Sequence, residues 1–192
     1  MNGKSAAQII GGAGAGERMD KDFYPTPPDV TIALLDFLNI PKTTLIWEPA
    51  AGDGDMINAM TRRGYCAMGS DIRAGMDFFT TDPPDGAGII ITNPPFSAAE
   101  GFIRRAADLG LPFAFLLKSQ FWHAARRRAL FEELTPTYIL PLTWRPDFLY
   151  KQRGKGSPLM DVMWCVWLLH TRGGGATYIP LKRPNIEEAQ GR

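Results

Sequence analysis

Apolar positions along the chain fall into two alternating kinds of run. Over 26–41, TPPDVTIALLDFLNIP, the residues Val30, Ala33, Leu34, Phe37 and Leu38 recur at three- and four-residue spacing, which predicts a helix with one apolar face. Thr26 is placed to cap it, Pro27 suits its first turn, Asp29 sits three residues after the cap, and Pro41 closes it. TLIWE (44–48) is a short apolar strand that runs through PAAGDGD into a helix, MINAMTRR (56–63), stopped by Gly64. YCAMGSDI (65–72) is a second strand ending on an acid, and GIIIT (88–92) a third. NPPF then breaks the ladder, because proline has no N–H to donate. Ser97 to Glu100 fits a capping box opening the next helix. LPFAFLLKS (111–119) is a further strand, and HAARRRALFEEL (123–134) a helix carrying Ala124, Leu130, Phe131 and Leu134. TYILPLTW (137–144) and LMDVMWCVWLLH (159–170) are the last two strands, joined by the polar loop RPDFLYKQRGKGSP (145–158).

Strands alternating with helices predict an α/β fold, a Rossmann-like mostly parallel sheet with helices on both faces. The last two strands have no helix between them, so a C-terminal hairpin with one antiparallel strand is expected. One domain is expected over 23–183, after a flexible lead-in over 1–22 and before a tail over 184–192. GGAGAGE (11–17) has the look of GxGxxG, but no strand precedes it and no helix follows closely, so it is assigned to the lead-in.

The chain of 192 residues is 45% apolar and 21% charged, ordinary for a soluble protein with a sizeable core. No apolar run approaches a membrane span, and MNGKSAAQII lacks the apolar centre of a secretory signal. Cys66 and Cys165 stand alone, without CxxC or Cys/His spacing, and only His123 and His170 are present. No metal site or disulfide is therefore expected, and reduced cytoplasm is the expected compartment. The net charge of +1 hides an asymmetry. Residues 1–100 hold 7 Lys and Arg against 13 Asp and Glu, whereas residues 101–155 hold 10 against 4. Such a split suits a cationic ligand in one half and an anionic polymer on the other.

The glycine turn WEPAAGDGDM has strand, turn and helix in the order that places a ligand at the strand ends of an open α/β sheet. Its chemistry argues against a dinucleotide. Glu48, Asp53 and Asp55 would repel a pyrophosphate, and the lysine of a P-loop is absent. A ligand with a sulfonium and an ammonium, such as S-adenosylmethionine, would be attracted instead. Asp71, closing the next strand, is positioned to accept hydrogen bonds from ribose hydroxyls. Asp77 and Phe78 could address the edge and face of an adenine.

NPPF offers a complementary chemistry. The residue before a proline is held near extended geometry, and Pro94 and Pro95 contribute carbonyls without N–H groups. Asn93 Oδ1 and the Pro94 carbonyl thus form a pair of fixed acceptors suited to the two hydrogens of an exocyclic amine, and Phe96 offers a face to the ring that bears it. Holding both hydrogens localises the nitrogen lone pair, so in-line transfer of a methyl group needs positioning and electrostatics more than a strong base.

The series FYPTPP, EPAAGDG, SDI, DF and NPPF resembles the class I S-adenosylmethionine-dependent methyltransferases. More narrowly, it is similar to the small DNA adenine-N6 methyltransferases frequent in phages and mobile elements. The resemblance spans about 22–170. It implies that Phe23, Tyr24, Pro25 and Thr26 wrap the methionine end of the cofactor. It further implies that Glu48, Pro49, Ala50, Gly52 and Asp53 line the cofactor loop, with Asp71 and Ile72 beyond the second strand and Asp77 and Phe78 at the adenine. Asn93, Pro94, Pro95 and Phe96 would hold the target base. Two departures stand out: the family's third strand is hard to find between Asp71 and Gly88, and the fold leaves no room for a separate target-recognition region. Sequence specificity is then expected to be weak, or supplied by a second copy of the chain or a specificity partner.

The basic segment contains Arg104, Arg105, Arg126, Arg127, Arg128, Lys151, Arg153 and Lys155. KQRGKGS lies in the final loop, near the target pocket in this fold, so Lys151, Arg153 and Lys155 are the candidates for phosphate contacts. Trp122, Trp144 and Tyr150 could stack on a splayed base or pack in the core. The same amine cradle would serve an RNA base or a protein glutamine, and a nucleic-acid-binding module without turnover is a further alternative. Cytosine-C5 chemistry is disfavoured because neither cysteine follows a proline in a strand-end turn. The acidic turn disfavours a nicotinamide dehydrogenase.

Overall fold

The computed structural model describes residues 24–148, 160–168 and 175–185. The lead-in over 1–22 and the candidates Phe23, Tyr150, Lys151, Arg153 and Lys155 lie outside the described residues.

Seven strands form one sheet in the order β2-β1-β3-β4-β6-β5-β7. β1 (Leu45–Glu48), β2 (Cys66–Gly69), β3 (Ala87–Thr92) and β4 (Phe113–Lys118) run parallel. β6 (Val162–Trp167) is antiparallel to both β4 and β5 (Tyr138–Pro141). The expected hairpin is therefore present, and its second strand inserts between β4 and β5. β7 (Thr177–Tyr178), which the apolar pattern does not signal, adds in parallel to β5 at the edge.

Successive residues of a strand face opposite sides, and here both sides are covered. Phe113, Phe115 and Leu117 of β4 pack with Met163, Cys165 and Trp167 of β6 on one face. Ala114, Leu116, Val162, Trp164 and Val166 pack on the other. This double burial is why β3, β4 and β6 read as nearly unbroken apolar runs. Helices α1 (Pro28–Leu38) and α2 (Asp55–Arg62) cover the second face, through Val30, Leu34, Met56 and Met60. Helix α3 (Ala99–Leu109) and the short α4 (Arg128–Glu133) cover the first, through Phe102, Ile103 and Leu130. Trp164, fully buried, ties sheet to helix by donating from Nε1 to the Val30 carbonyl at 3.1 Å.

The structure corrects several local expectations. Pro27 takes the cap position of α1 with no side-chain cap bond, while Asp29 is buried and accepts from Trp144 Nε1 at 3.0 Å and Arg183 Nε at 2.9 Å. Ala98, not Ser97, takes the cap position of α3, and Glu100 pairs with Arg104. β2 ends at Gly69, short of the expected acid, and a 3-10 turn at Ile72–Ala74 follows. The helix expected over 123–134 is broken into 3-10 turns, Ser119–His123 and Ala125–Arg127, before α4 begins. Among the described residues no strand lies between Gly69 and Ala87.

Candidate active site

A cavity of about 630 Å³ opens where β1 and β3 end and the chain turns out of β2, a size typical of small-molecule sites. Its wall is built from the segment Tyr24 to Thr26, the turn after β1, residues 71–79, and the turn from β3 into α3.

The turn after β1 requires glycine at Gly52 and Gly54, whose φ values are 55° and 80°. Backbone bonds pin this turn to the end of β2, from Ser70 to the Glu48 carbonyl at 2.9 Å and from Ala51 to the Ser70 carbonyl at 3.0 Å. Trp47 Nε1 adds a buried bond to Ser70 Oγ at 2.9 Å. Asp71 Oδ2 accepts from the Gly52 N–H at 2.8 Å, and Oδ1 from the Arg73 N–H and Nε at 2.8 and 3.0 Å. Burial raises the Asp71 pKa, but the Arg73 and Gly52 N–H groups and the Arg73 guanidinium outweigh it and hold the carboxyl below its ordinary value. Arg73 also reaches Asp53 at 3.3 Å. The acidic turn is thus partly neutralised from within, a pairing the sequence reading missed. The only available signal was a basic residue two positions after the acid.

Glu48 is buried at the end of β1, with Oε2 lacking a partner among the described residues. Burial pushes its carboxyl well above the ordinary value, against the Ile57 N–H that favours the charged form; Asp55 and Asp71 raise it further. Among the described residues, Arg73 is the one cation lining the cavity, against Glu48, Asp53, Asp55, Asp71 and Asp77. Asp77 Oδ1 accepts from the Phe79 N–H at 3.0 Å, closing the turn that buries Phe78 against Trp47 and Phe102.

Directly after β3, Asn93 Nδ2 donates to Thr26 Oγ1 at 3.0 Å and to the Tyr24 carbonyl at 3.3 Å. A carbonyl can only accept, so this contact sets which end of the amide is nitrogen. Asn93 Oδ1 is left buried and without a partner among the described residues. Thr26 therefore serves as a clamp on Asn93 instead of as a helix cap. Pro95 turns the chain into α3, its carbonyl accepting from the Ala98 N–H at 2.9 Å. Phe96 lies outside the cavity lining, its ring 5.6 Å from that of Tyr24 and 4.4 Å from Lys118 Nζ.

The cavity gathers Tyr24, Pro25, Thr26, Glu48, Pro49, Ala50, Asp53, Asp71, Ile72, Asp77, Phe78, Asn93 and Pro95 of the sequence candidates. Gly52 and Pro94 are not among the residues that line it. Phe79 and Phe102 line it without having been foreseen, because their aromatic character alone does not distinguish lining from core. Much of the basic face is internally paired: Arg104 to Glu100 and Glu133, Arg105 to Asp82, Arg128 to Glu132. Arg127 lies over the Phe121 ring at 3.9 Å. Trp122 packs among Phe121, Phe131 and Trp167, and Trp144 is turned to Asp29. No cluster of His, Cys, Asp and Glu suited to a metal occurs among the described residues, and no helix there is long and apolar enough to cross a membrane.

No family model matches the sequence, and no curated protein matches it. Solved structures do. A protein of Listeria monocytogenes, provisionally described as a class I S-adenosylmethionine-dependent methyltransferase, superposes with a TM-score of 0.55 at 12% identity, over 95% of this chain and 74% of that one. A Pyrococcus horikoshii protein, provisionally described as an RNA methyltransferase, gives 0.55 at 13%, over 76% and 86%. A Lactococcus lactis protein, provisionally described as a hemolysin, gives 0.51 at 9%, over 87% and 96%. The chain has the Rossmann-like fold of class I methyltransferases, and this fold alone does not name a substrate.

Proposed function

We propose that the chain is an S-adenosylmethionine-dependent N-methyltransferase acting on an exocyclic amine, with adenine N6 in DNA as the target and little sequence preference. The observation that carries this reading is the buried, unpartnered Asn93 Oδ1, held toward its task by Thr26 and the Tyr24 carbonyl. A buried amide oxygen without a partner is costly, and such groups persist where a ligand completes them. Here the completing group is an N–H donor. The Pro94 carbonyl, to which no backbone N–H is bonded among the described residues, is proposed as the second acceptor for the same amine.

When bound, S-adenosylmethionine supplies an electrophilic methyl on a sulfonium centre. The lining fits that cofactor in three respects. Its acidic excess suits sulfonium and ammonium charges, and Glu48 Oε2 is an acceptor awaiting an N–H donor. Ile72 and Phe78 give apolar surface suited to an adenine, between Asp71 and Asp77. Tyr24, Pro25 and Thr26 close the methionine end, with Phe23 before them. Asn93 and Pro94 orient the amine and localise its lone pair, while the cavity wall excludes water from the transfer.

An adenine within a duplex cannot reach this cavity, so the substrate is a flipped or single-stranded base. Lys151, Arg153 and Lys155 are proposed to hold its phosphates. The test is transfer of radiolabelled methyl to duplex DNA, single-stranded DNA, RNA and a protein lysate, by wild type and Asn93→Ala. Label recovered as N6-methyladenine and lost in the variant supports the reading. Label entering only RNA or protein keeps the chemistry and overturns the substrate.

A further inference from the structure

Lys118 is the last residue of β4, which continues past the point where β3 gives way to the Asn93–Phe96 turn. Its Nζ sits 4.4 Å from the Phe96 ring centre, and the Phe96 ring in turn leans on Tyr24. Four of the described cations of this segment have carboxylate partners: Arg104, Arg105, Arg128 and Arg145. Lys118 has no carboxylate within ion-pair distance among the described residues. Asp161, on the neighbouring β6 side, is engaged by Arg145 at 2.8 Å. The ammonium of half-buried Lys118 is therefore held against an aromatic face, with no carboxylate partner among the described residues, beside the Asn93–Phe96 turn.

We propose that Lys118 binds a phosphate of the substrate and thereby makes this a nucleotide site, selecting a base within a polyanionic strand over an uncharged amide side chain. The inference rests on the amine-methylation reading and narrows it. A nucleotide brings a flat ring and an anion joined by one sugar, and here a cation rests over an aromatic ring. A glutamine side chain would occupy the acceptors of Asn93 and Pro94 and leave the Lys118 charge unanswered. A base that takes up the Phe96 face displaces the ammonium from it, and the flexible lysine stem lets the charge follow the phosphate.

The experiment compares wild type with Lys118→Ala, Lys118→Gln and Lys118→Arg, using a labelled adenine-containing single-stranded oligodeoxynucleotide across about 50 to 200 mM salt. Losing one phosphate contact is expected to weaken binding by roughly tenfold at low salt and to reduce the slope of log K against log salt by about 0.7. The arginine variant should restore both. The loss should fall on KM more than kcat, with cofactor affinity and melting temperature unchanged. Adenosine, which has no phosphate, should bind all four proteins alike, whereas adenosine monophosphate should bind the alanine and glutamine variants more weakly. If wild type methylates the oligonucleotide and the variants keep its KM and salt slope, the Lys118 assignment falls while the amine chemistry stands. Equal methylation of a glutamine peptide by wild type and Lys118→Ala, with none of the oligonucleotide, overturns it likewise. If wild type binds cofactor but transfers methyl to none of these substrates, the underlying reading fails first and carries the inference with it.

Discussion

Replacing Asn93 by alanine separates a functional acceptor from a structural one. The wild-type side chain makes two hydrogen bonds, to Thr26 Oγ1 at 3.0 Å and to the Tyr24 carbonyl at 3.3 Å. Each contributes about 1 kcal/mol net, so their loss costs about 2 kcal/mol. The same substitution removes a buried Oδ1 with no partner among the described residues, whose desolvation costs the folded state about 1–3 kcal/mol. The terms oppose one another, and Asn93→Ala should lie within about 1 kcal/mol of wild type, a melting shift of no more than about 4 °C. Methyl transfer should nonetheless fall by about 10²–10³ in kcat, the cost of deleting one preorganised polar contact to the reacting group. Urea denaturation and single-turnover transfer of a labelled methyl group measure the two quantities on the same preparations. Asn93→Asp supplies the counter-test: it sets a carboxylate oxygen against the Tyr24 carbonyl, so it should be the less stable variant as well as inactive. A loss of stability above about 3 kcal/mol in Asn93→Ala with transfer retained would make Asn93 a structural bracket and refute the amine-cradle reasoning.

Glu48 carries a pH signature. Its folded carboxyl is raised above the unfolded value, so the native state binds the extra proton, and stability falls as pH rises from about 4.5 through the raised value. Glu48→Gln should flatten that decline in denaturation curves taken across the window. For the same reason, affinity for a cationic cofactor should strengthen with rising pH in wild type and lose that dependence in the variant, as calorimetry can show. Gly69→Ala would place a Cβ 2.8 Å from that of Ala51, pushing the turn after β1; a cost of about 1–3 kcal/mol in urea denaturation is expected and, on the proposed function, weaker S-adenosylmethionine binding with it. Trp164→Phe removes the donor to the buried Val30 carbonyl and some core volume, and should cost about 2–4 kcal/mol while leaving activity per folded molecule intact.

What the sequence determined by itself was the ordering of elements and the chemistry of two turns. The apolar runs of β3, β4 and β6 could be seen because strands buried on both faces admit few polar residues. The stop at Pro94 and the glycines at 52 and 54 could be seen because they answer to backbone constraints inside a few residues. Partners across the fold could not be read this way. Thr26 has the chemistry of a cap, yet it clamps Asn93, 67 positions away, because α1 starts beside the end of β3. Asp29 looks like a solvated first-turn acid and is instead buried beneath Arg183, 154 positions on. Arg73 tempers an acidic loop whose net charge had seemed unopposed. Which donor meets which acceptor is settled by distances across the packed sheet, and local periodicity holds no record of them. The helix expected over 123–134 starts late: Phe121 is buried in the core cluster that includes β6 residues, Trp122 packs against it, and 3-10 turns occupy the chain up to Arg127. Local chemistry named the parts of the candidate site, and tertiary packing decided which atoms of those parts remain unpartnered.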